Sequence, residues 1–335
     1  MTLPEIKNCP GTLAKGFSTY SNLSLKHLFG GRKVSHILPY YEPGNSEDSG
    51  IFIENRKRIS VSGVQEKVSL LLENNKLRLT RDGEHGTYIL KPIPRDLKKT
   101  NQVPANEHLT MQIAKQAYGI LTAENALIFF KGGEPAYITK RFDLKKDGSN
   151  LGKEDFASLA GKSAEISGTD FKYEYSYEAM AGLIKKFVPA WKIEMEKFLA
   201  LILFNYLFSN GDAHLKNFAL LETSAGDHLL SPAYDLINTS IHVNDSDFAL
   251  KDGLFENDYK SATLQRTNHP GQKDFMEFAY RIGIRETRAD KIIKPFIQRN
   301  EMVKTLVESS FLNDQTKKTY LMNYNQRLRL LQSIR

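Results

Sequence analysis

A chain of 335 residues, 41% hydrophobic and 25% charged, has the length for two cores and the composition of a soluble globular protein. Its one cysteine, Cys9, excludes an intrachain disulfide framework and points to a reducing compartment, and no apolar run nears the ~20 residues that cross a bilayer. The net charge of +7 favours an anionic ligand or partner (ATP, an RNA-binding enzyme or DNA), but Lys and Arg are scattered, so a basic solvated surface is the plainer explanation.

Residues 1–50, rich in Gly, Ser, Tyr and Pro, read as an irregular cap without a charged-then-apolar leader pattern. A cytoplasmic protein is therefore expected, although an unconventional secretion signal into a host would not be visible in this pattern. The runs 68–72 and 76–80, around Glu73-Asn-Asn75, predict a hairpin, and Thr87-Tyr-Ile-Leu-Lys91 a strand stopped by Pro92 and Pro94. Leu109, Ile113 and Ala117 recur every fourth residue, predicting a helix over 105–118 closed by Gly119. The runs 126–130 and 136–139 predict a strand pair about Gly132-Gly133. Beyond Asp143 the pattern turns helical, with helices over 177–187, 195–208, 273–284 and 315–331. The helix over 195–208 has almost no polar face, so it is expected to be buried, and it runs straight into Asn210-Gly-Asp212.

The run Ser209-Asn-Gly-Asp-Ala-His-Leu-Lys-Asn-Phe218 carries the chemistry. An Asp followed five residues later by an Asn is the spacing of a protein-kinase catalytic loop, where the Asp receives the proton of the attacking hydroxyl and the Asn holds magnesium. Asp212 and Asn217 fill those positions, and Asp235, in Ser231-Pro-Ala-Tyr-Asp235, supplies a second oxygen ligand for magnesium. His214 is open to three readings: a brace for the loop, a phosphate contact, or an acid or base. Lys216 either neutralises the transferred phosphoryl group or is simply exposed. Lys91 ends an apolar strand where the sheet meets the expected cleft, facing nucleotide phosphates, with Glu107 in the next helix as its candidate partner; a carboxylate near a helix start also suits the dipole. The segment Arg58-Ile-Ser-Val-Ser-Gly-Val-Gln-Glu-Lys67 lacks an ordinary glycine-rich loop. Backbone N–H groups near Ser62 and Gly63, together with Lys67, could cradle phosphate, and Ser60 and Ser62 could accept it.

Taken in chain order, the four stretches 58–67, 88–91, 210–218 and 231–235 resemble the HipA family of bacterial toxin serine/threonine kinases. The resemblance implies an α+β, two-lobed, protein-kinase-like fold, with a mixed N-lobe (1–142) and an all-helical C-lobe (143–335). It implies ATP and Mg2+ as cofactors, Asp212 as catalytic base, Asn217 and Asp235 as metal ligands and Lys91 as the nucleotide lysine. It also implies Lys140, Arg141 and Phe142 in the adenine-contacting linker and Ser60 as the autophosphorylated serine. Longer members begin with an additional subdomain that this chain looks too short to hold. It is therefore more similar to HipT, the short kinase partnered by a separate small antitoxin, and the paired Ser60 and Ser62 fit that form. By the same resemblance the target is an aminoacyl-tRNA synthetase, of tryptophanyl or glutamyl type. A helix-turn-helix antitoxin would be a further partner, with DNA met only through it, and no membrane is involved. A nucleotide-binding pseudokinase in an antitoxin complex and a small-molecule kinase remain alternatives that the same loop would serve.

Overall fold

The computed structural model describes residues 5–42, 66–95, 97–145 and 147–333. Within the expected irregular cap lies one helix, α1 (Asn22–Phe29). The Ser21 hydroxyl opens it by accepting from the Ser24 N–H, and Gly30, at φ +63°, closes it. A helix of eight residues makes only about two turns, too few to carry a legible apolar stripe, so its caps define it.

Strands β1 (Val68–Glu73) and β2 (Lys76–Leu79) form the expected hairpin. Asn74 and Asn75 both take left-handed φ, of +49° and +61°, as a two-residue turn matched to strand twist requires. Strand β3 (Tyr88–Lys91) pairs with β1 on one side. Helix α2 (Val103–Tyr118) has proline in its first turn and Gly119 at φ +64° past its end. Strands β4 (Asn125–Phe129) and β5 (Pro135–Lys140) complete an antiparallel sheet of order β2-β1-β3-β5-β4, in which Lys91 lies opposite Tyr137.

Alternation along β5 sends its side chains to different cores. Ala136 and Ile138 join Val68, Leu70, Leu90 and Phe29 on one face, whereas Tyr137 joins α2 and the large core beyond it. Helix α2 is buried along nearly its whole length, so it is the rigid layer between the sheet and the rest of the chain.

The remainder comprises β6 (Lys153–Asp155), α3 (Phe156–Leu159), α4 (Ala164–Ser167), α5 (Tyr177–Phe187), α6 (Trp191–Leu207), β7 (Ala219–Glu222), β8 (His228–Leu230), α7 (Ala262–Thr267), α8 (Gln272–Arg281), α9 (Glu286–Ile293), α10 (Glu301–Ser309) and α11 (Asp314–Leu331). Helix α6 begins one turn before the apolar run and buries Phe198, Leu199, Ile202, Leu203, Phe204 and Tyr206 against α5, α9, α11 and β8. At about 1.5–3 kcal/mol per fully buried large side chain, this helix cannot slide without a heavy penalty. The expectation of an all-helical C-lobe is corrected: β6, β7 and β8 form an antiparallel three-stranded sheet. Strands of three or four residues, one of them the polar Lys153-Glu-Asp155, are too short for alternation to register. The fold is α+β and two-lobed, with its cleft between the five-stranded sheet and the end of α6.

Candidate active site

The loop after α6 is tied from several directions. Ser209 takes φ +52°, turning the chain out of the helix, and Asn210 bonds back to Asn205 through backbone and amide at 2.8 Å each. The Gly211 N–H donates to the Thr239 hydroxyl at 2.8 Å. Gly211 has no room for a side chain: a Cβ there would lie 2.5 Å from Asp245 Cβ and 2.8 Å from the Ser246 carbonyl. Ala213 and Leu215 are buried as anchors, the Tyr177 hydroxyl donates to the Ala213 carbonyl at 2.9 Å, and the Tyr234 hydroxyl donates to the Lys216 carbonyl at 2.9 Å. A loop so held presents Asp212 and Asn217 in one fixed relation.

Facing this loop is a cluster of charges. Lys91 Nζ, almost fully buried, donates to Glu107 Oε1 at 2.6 Å and to Asp235 Oδ1 at 2.5 Å, and lies 5.3 Å from the Tyr137 ring centre. Lys67 Nζ stands 3.8 Å from Asp235 Oδ2. Burial alone would pull the Lys91 ammonium down, but the two carboxylates outweigh it and hold it above its ordinary range. Burial would likewise raise Asp235, yet Lys91 and Lys67 prevail and hold it well below the usual carboxylate range. Burial raises Glu107, with the Asp235 charge adding to it and Lys91 opposing. Asp235 itself sits at φ +56°, a left-handed conformation that aspartate tolerates better than most residues.

Lys91, Asp212, Asn217 and Asp235 line one cavity of about 690 Å3, with Lys67, Lys140, Arg141, Phe142, His214 and Lys216 on its wall. Glu107 stands behind Lys91 instead of lining the cavity. Arg141 forks onto Asp143 at 2.9 and 3.0 Å, while the Phe142 and Tyr234 rings lie 5.7 Å apart as an aromatic corner. Lys216 is neither free nor fully exposed, since its ammonium donates to Asp155 at 3.0 Å. Ser60, Ser62 and Gly63 lie outside the described residues.

The Asn217 carboxamide oxygen is buried without a hydrogen-bond partner, and the Asn217 amide nitrogen is 3.5 Å from Asp235 Oδ2. An asparagine amide with a stranded oxygen, next to a carboxylate, is a donor set that suits a hard cation such as magnesium, which takes a few protein oxygens and completes its shell with water and phosphate. Among the described residues no three His, Cys, Asp or Glu side chains form a metal cage of their own.

At the other end of the cavity, the Asp212 side chain is 51% exposed, and its Oδ1 accepts from the Tyr173 hydroxyl at 2.9 Å and lies 3.9 Å from His214 Nε2. The surrounding protein raises the Asp212 carboxyl, against the Tyr173 hydrogen bond and the Lys172 charge, which lower it. Burial pushes His214 down to about 3, so the imidazole is neutral at ordinary pH. The sequence reading missed Tyr173, Lys172, Asp245, Lys153 and Asp155, all of which line this cavity. Tyr173 lies in a polar stretch with no periodicity. Asp155 did carry a signal, as the helix-capping carboxylate three residues before Ser158.

The HipA-like C-terminal domain profile matches residues 59–305. A Haemophilus influenzae protein provisionally named a kinase is 28% identical over 335 residues, covering 95% of this chain and 94% of that one. The serine/threonine-protein kinase toxin HipA of Shewanella oneidensis is 26% identical over 208 residues, covering 56% of this chain and 45% of that protein. Among solved structures, Shewanella oneidensis HipA, in complex with HipB and operator DNA, superposes with a TM-score of 0.61 at 21% identity over 81% of this chain and 63% of that one. The Helicobacter pylori proinflammatory kinase CtkA superposes with a TM-score of 0.50 at 18% identity over 78% of this chain and 90% of that one. The chain has the kinase-like fold of these solved structures and belongs to the HipA-like C-terminal domain family.

Proposed function

We propose that the chain is a toxin serine/threonine protein kinase that uses Mg-ATP, a short HipT-like member of the HipA family. Its target in this reading is an aminoacyl-tRNA synthetase of tryptophanyl or glutamyl type, whose modification slows translation. Autophosphorylation of Ser60 or Ser62 restrains the enzyme. The observation that carries the kinase reading is the single cavity holding a doubly paired lysine, two candidate metal oxygens and a half-exposed carboxylate. The synthetase, the two serines and the lobe boundary at Phe142 and Asp143 rest on the resemblance. A cytoplasmic location belongs to the same reading; no helix among the described residues is long and apolar enough to cross a membrane.

Each residue has a task that its geometry suits. An ammonium has three N–H donors; Lys91 gives two to Glu107 and Asp235 and keeps the third for a phosphate oxygen. Asn217 Oδ1 and the Asp235 carboxylate would hold magnesium, which when bound neutralises charge on the phosphates. Lys67, on the cavity wall beside Asp235, adds positive charge, and the segment of Lys140, Arg141 and Phe142 with Tyr234 supplies the wall for the base. Asp212 orients the acceptor hydroxyl and takes its proton as that oxygen bonds to phosphorus and the bond to the departing ADP oxygen breaks. His214, neutral and buried, braces the loop, and Lys216 is held back by Asp155.

Partners in this reading are a small antitoxin resembling the additional N-terminal subdomain of longer members and a helix-turn-helix antitoxin that alone meets DNA. The HipA of Shewanella oneidensis was solved with HipB and operator DNA, which supports such a complex. Incubating the protein with γ-labelled ATP, magnesium and a bacterial lysate tests the substrate class. Label on a synthetase-sized protein and on a serine of the chain is expected. Label confined to a metabolite would replace the reading with a small-molecule kinase, and nucleotide binding without transfer would replace it with a pseudokinase.

A further inference from the structure

Between α4 and α5 the chain crosses the acceptor end of the cavity as a strap, with a short helical turn over Phe171–Tyr173. Backbone hydrogen bonds fasten it: the Lys251 N–H donates to the Tyr173 carbonyl at 2.9 Å, and the Asp252 N–H to the Tyr175 carbonyl at 3.3 Å. Tyrosines four residues apart, one on this anchored strap and one opening α5, grip two successive residues of the loop. Tyr173 donates to the Asp212 carboxylate at 2.9 Å, and Tyr177 donates to the Ala213 carbonyl at 2.9 Å. The Tyr173 ring also meets the His214 ring edge-on at 5.3 Å, and the Lys172 ammonium lies 4.9 Å from the Tyr173 ring centre.

We infer that Tyr173 is the positioning residue for the base: its hydroxyl holds one oxygen of Asp212 and so aims the rest of the carboxylate at the acceptor. The inference rests on the kinase reading above and adds a residue to it. Asp212 is half exposed on a loop, and among the described residues the Tyr173 hydroxyl is its carboxylate's one hydrogen-bond partner, the neutral His214 imidazole lying beyond hydrogen-bond range at 3.9 Å, so without Tyr173 no bond would hold its rotamer. A carboxylate offers about four lone-pair sites; Tyr173 uses one and leaves the others for a substrate hydroxyl. A hydroxyl that blocked the acceptor position would have to leave at every turnover. Tyr173 is instead fixed by its own carbonyl and by the contacts of its ring with His214 and the Lys172 ammonium, which suits a permanent brace. A reacting group displaced by about 1 Å loses on the order of 100-fold in rate, which sets the scale of the effect.

The test is Tyr173→Phe, which keeps the ring on His214 and deletes only the hydroxyl. Phosphate incorporation from γ-labelled ATP into the chain itself is followed against ATP concentration, beside the wild type, with binding of a non-hydrolysable ATP analogue as a check on folding. The expected result is analogue binding and KM for ATP unchanged and kcat lowered roughly 10- to 100-fold. An unchanged kcat would overturn the inference, and so would a raised kcat, because that is the signature of a removed plug. Parallel losses of analogue binding and kcat would also overturn it, by assigning Tyr173 a structural role. A wild type that labels neither itself nor any lysate protein would remove the kinase reading itself and this inference with it.

Discussion

The two ends of the cavity hold charge in opposite ways. At the inner end Lys91 and Glu107 are almost fully buried, with side-chain exposures of 4% and 3%, and each charge is met by another. At the outer end Asp212 is 51% exposed and its closest partner is a neutral hydroxyl. Two aspartates of one cavity are consequently driven apart. Burial would raise both, but Lys91 and Lys67 hold Asp235 low, while the weaker opposition of Tyr173 and Lys172 leaves Asp212 raised. Environments that separate two carboxylates in this way assign them different work: a permanently charged ligand inside, and a group able to take a proton outside.

Removing the inner cation should break this contrast most severely. Lys91→Met leaves the buried Glu107 carboxylate without a partner and Asp235 with Lys67 alone, at a cost of about 3–5 kcal/mol. Denaturant unfolding should show that loss, and ATP affinity should fall with it. Lys91→Met combined with Glu107→Leu should recover part of the stability, since one stranded carboxylate is gone, without recovering activity. Recovery of activity in the double variant would mean that Lys91 serves only the fold.

A smaller effect is expected at Asn106. Its side chain donates to the Asn238 carbonyl at 2.9 Å and accepts from the Asn238 N–H at 3.2 Å, so it clasps α2 to the segment that carries Asp235. Asn106→Leu strands both buried backbone groups, about 1–3 kcal/mol each. Because the clasp lies behind the inner end, KM for ATP should rise several-fold while the response to Tyr173→Phe persists. Equal damage at both ends would show that the clasp holds the whole cleft together.

The smallest effect concerns pH. Folded His214 is held down to about 3 by burial, against an ordinary value of 6.5. Between those values the unfolded chain binds the proton that the folded chain refuses, so stability is fully present above pH 6.5 and is lost as pH falls toward 3. His214→Asn should flatten the stability profile in that window, by at most about 1.4 kcal/mol per pH unit, with little change at pH 8. His108, buried and pushed down to about 4, keeps its own share of the slope in both proteins. An identical profile for variant and wild type would mean that His214 titrates as freely in the folded chain as in the unfolded one.

The inner end was more legible in the sequence than the outer. At the inner end Lys91 closes a short apolar strand, Asn217 keeps a fixed spacing from Asp212, and α6 advertises its burial through an unbroken apolar surface, so local pattern alone pointed to each; at the outer end that spacing marked Asp212 but not what holds it. Pairing Lys91 with Glu107 required only the next helix in the chain. Tyr173 meets Asp212 across 39 positions of sequence, from a strap with neither helical nor strand periodicity, and no local pattern encodes that meeting. The three-stranded sheet escaped for a related reason. Its strands are held by neighbours, with β6 reaching β7 across more than 60 positions, and their own residues read as loop.

The central claim is that Asp212 takes the proton of an acceptor hydroxyl while the inner charges hold the phosphates. Asp212→Asn nearly preserves shape and removes the proton acceptor, so the initial rate of phosphate transfer from γ-labelled ATP, measured for purified wild type and variant at equal nucleotide occupancy, tests it most directly. The account predicts a rate lower by about 10²- to 10⁴-fold with ATP binding intact. A variant that transfers phosphate as fast as the wild type would contradict it.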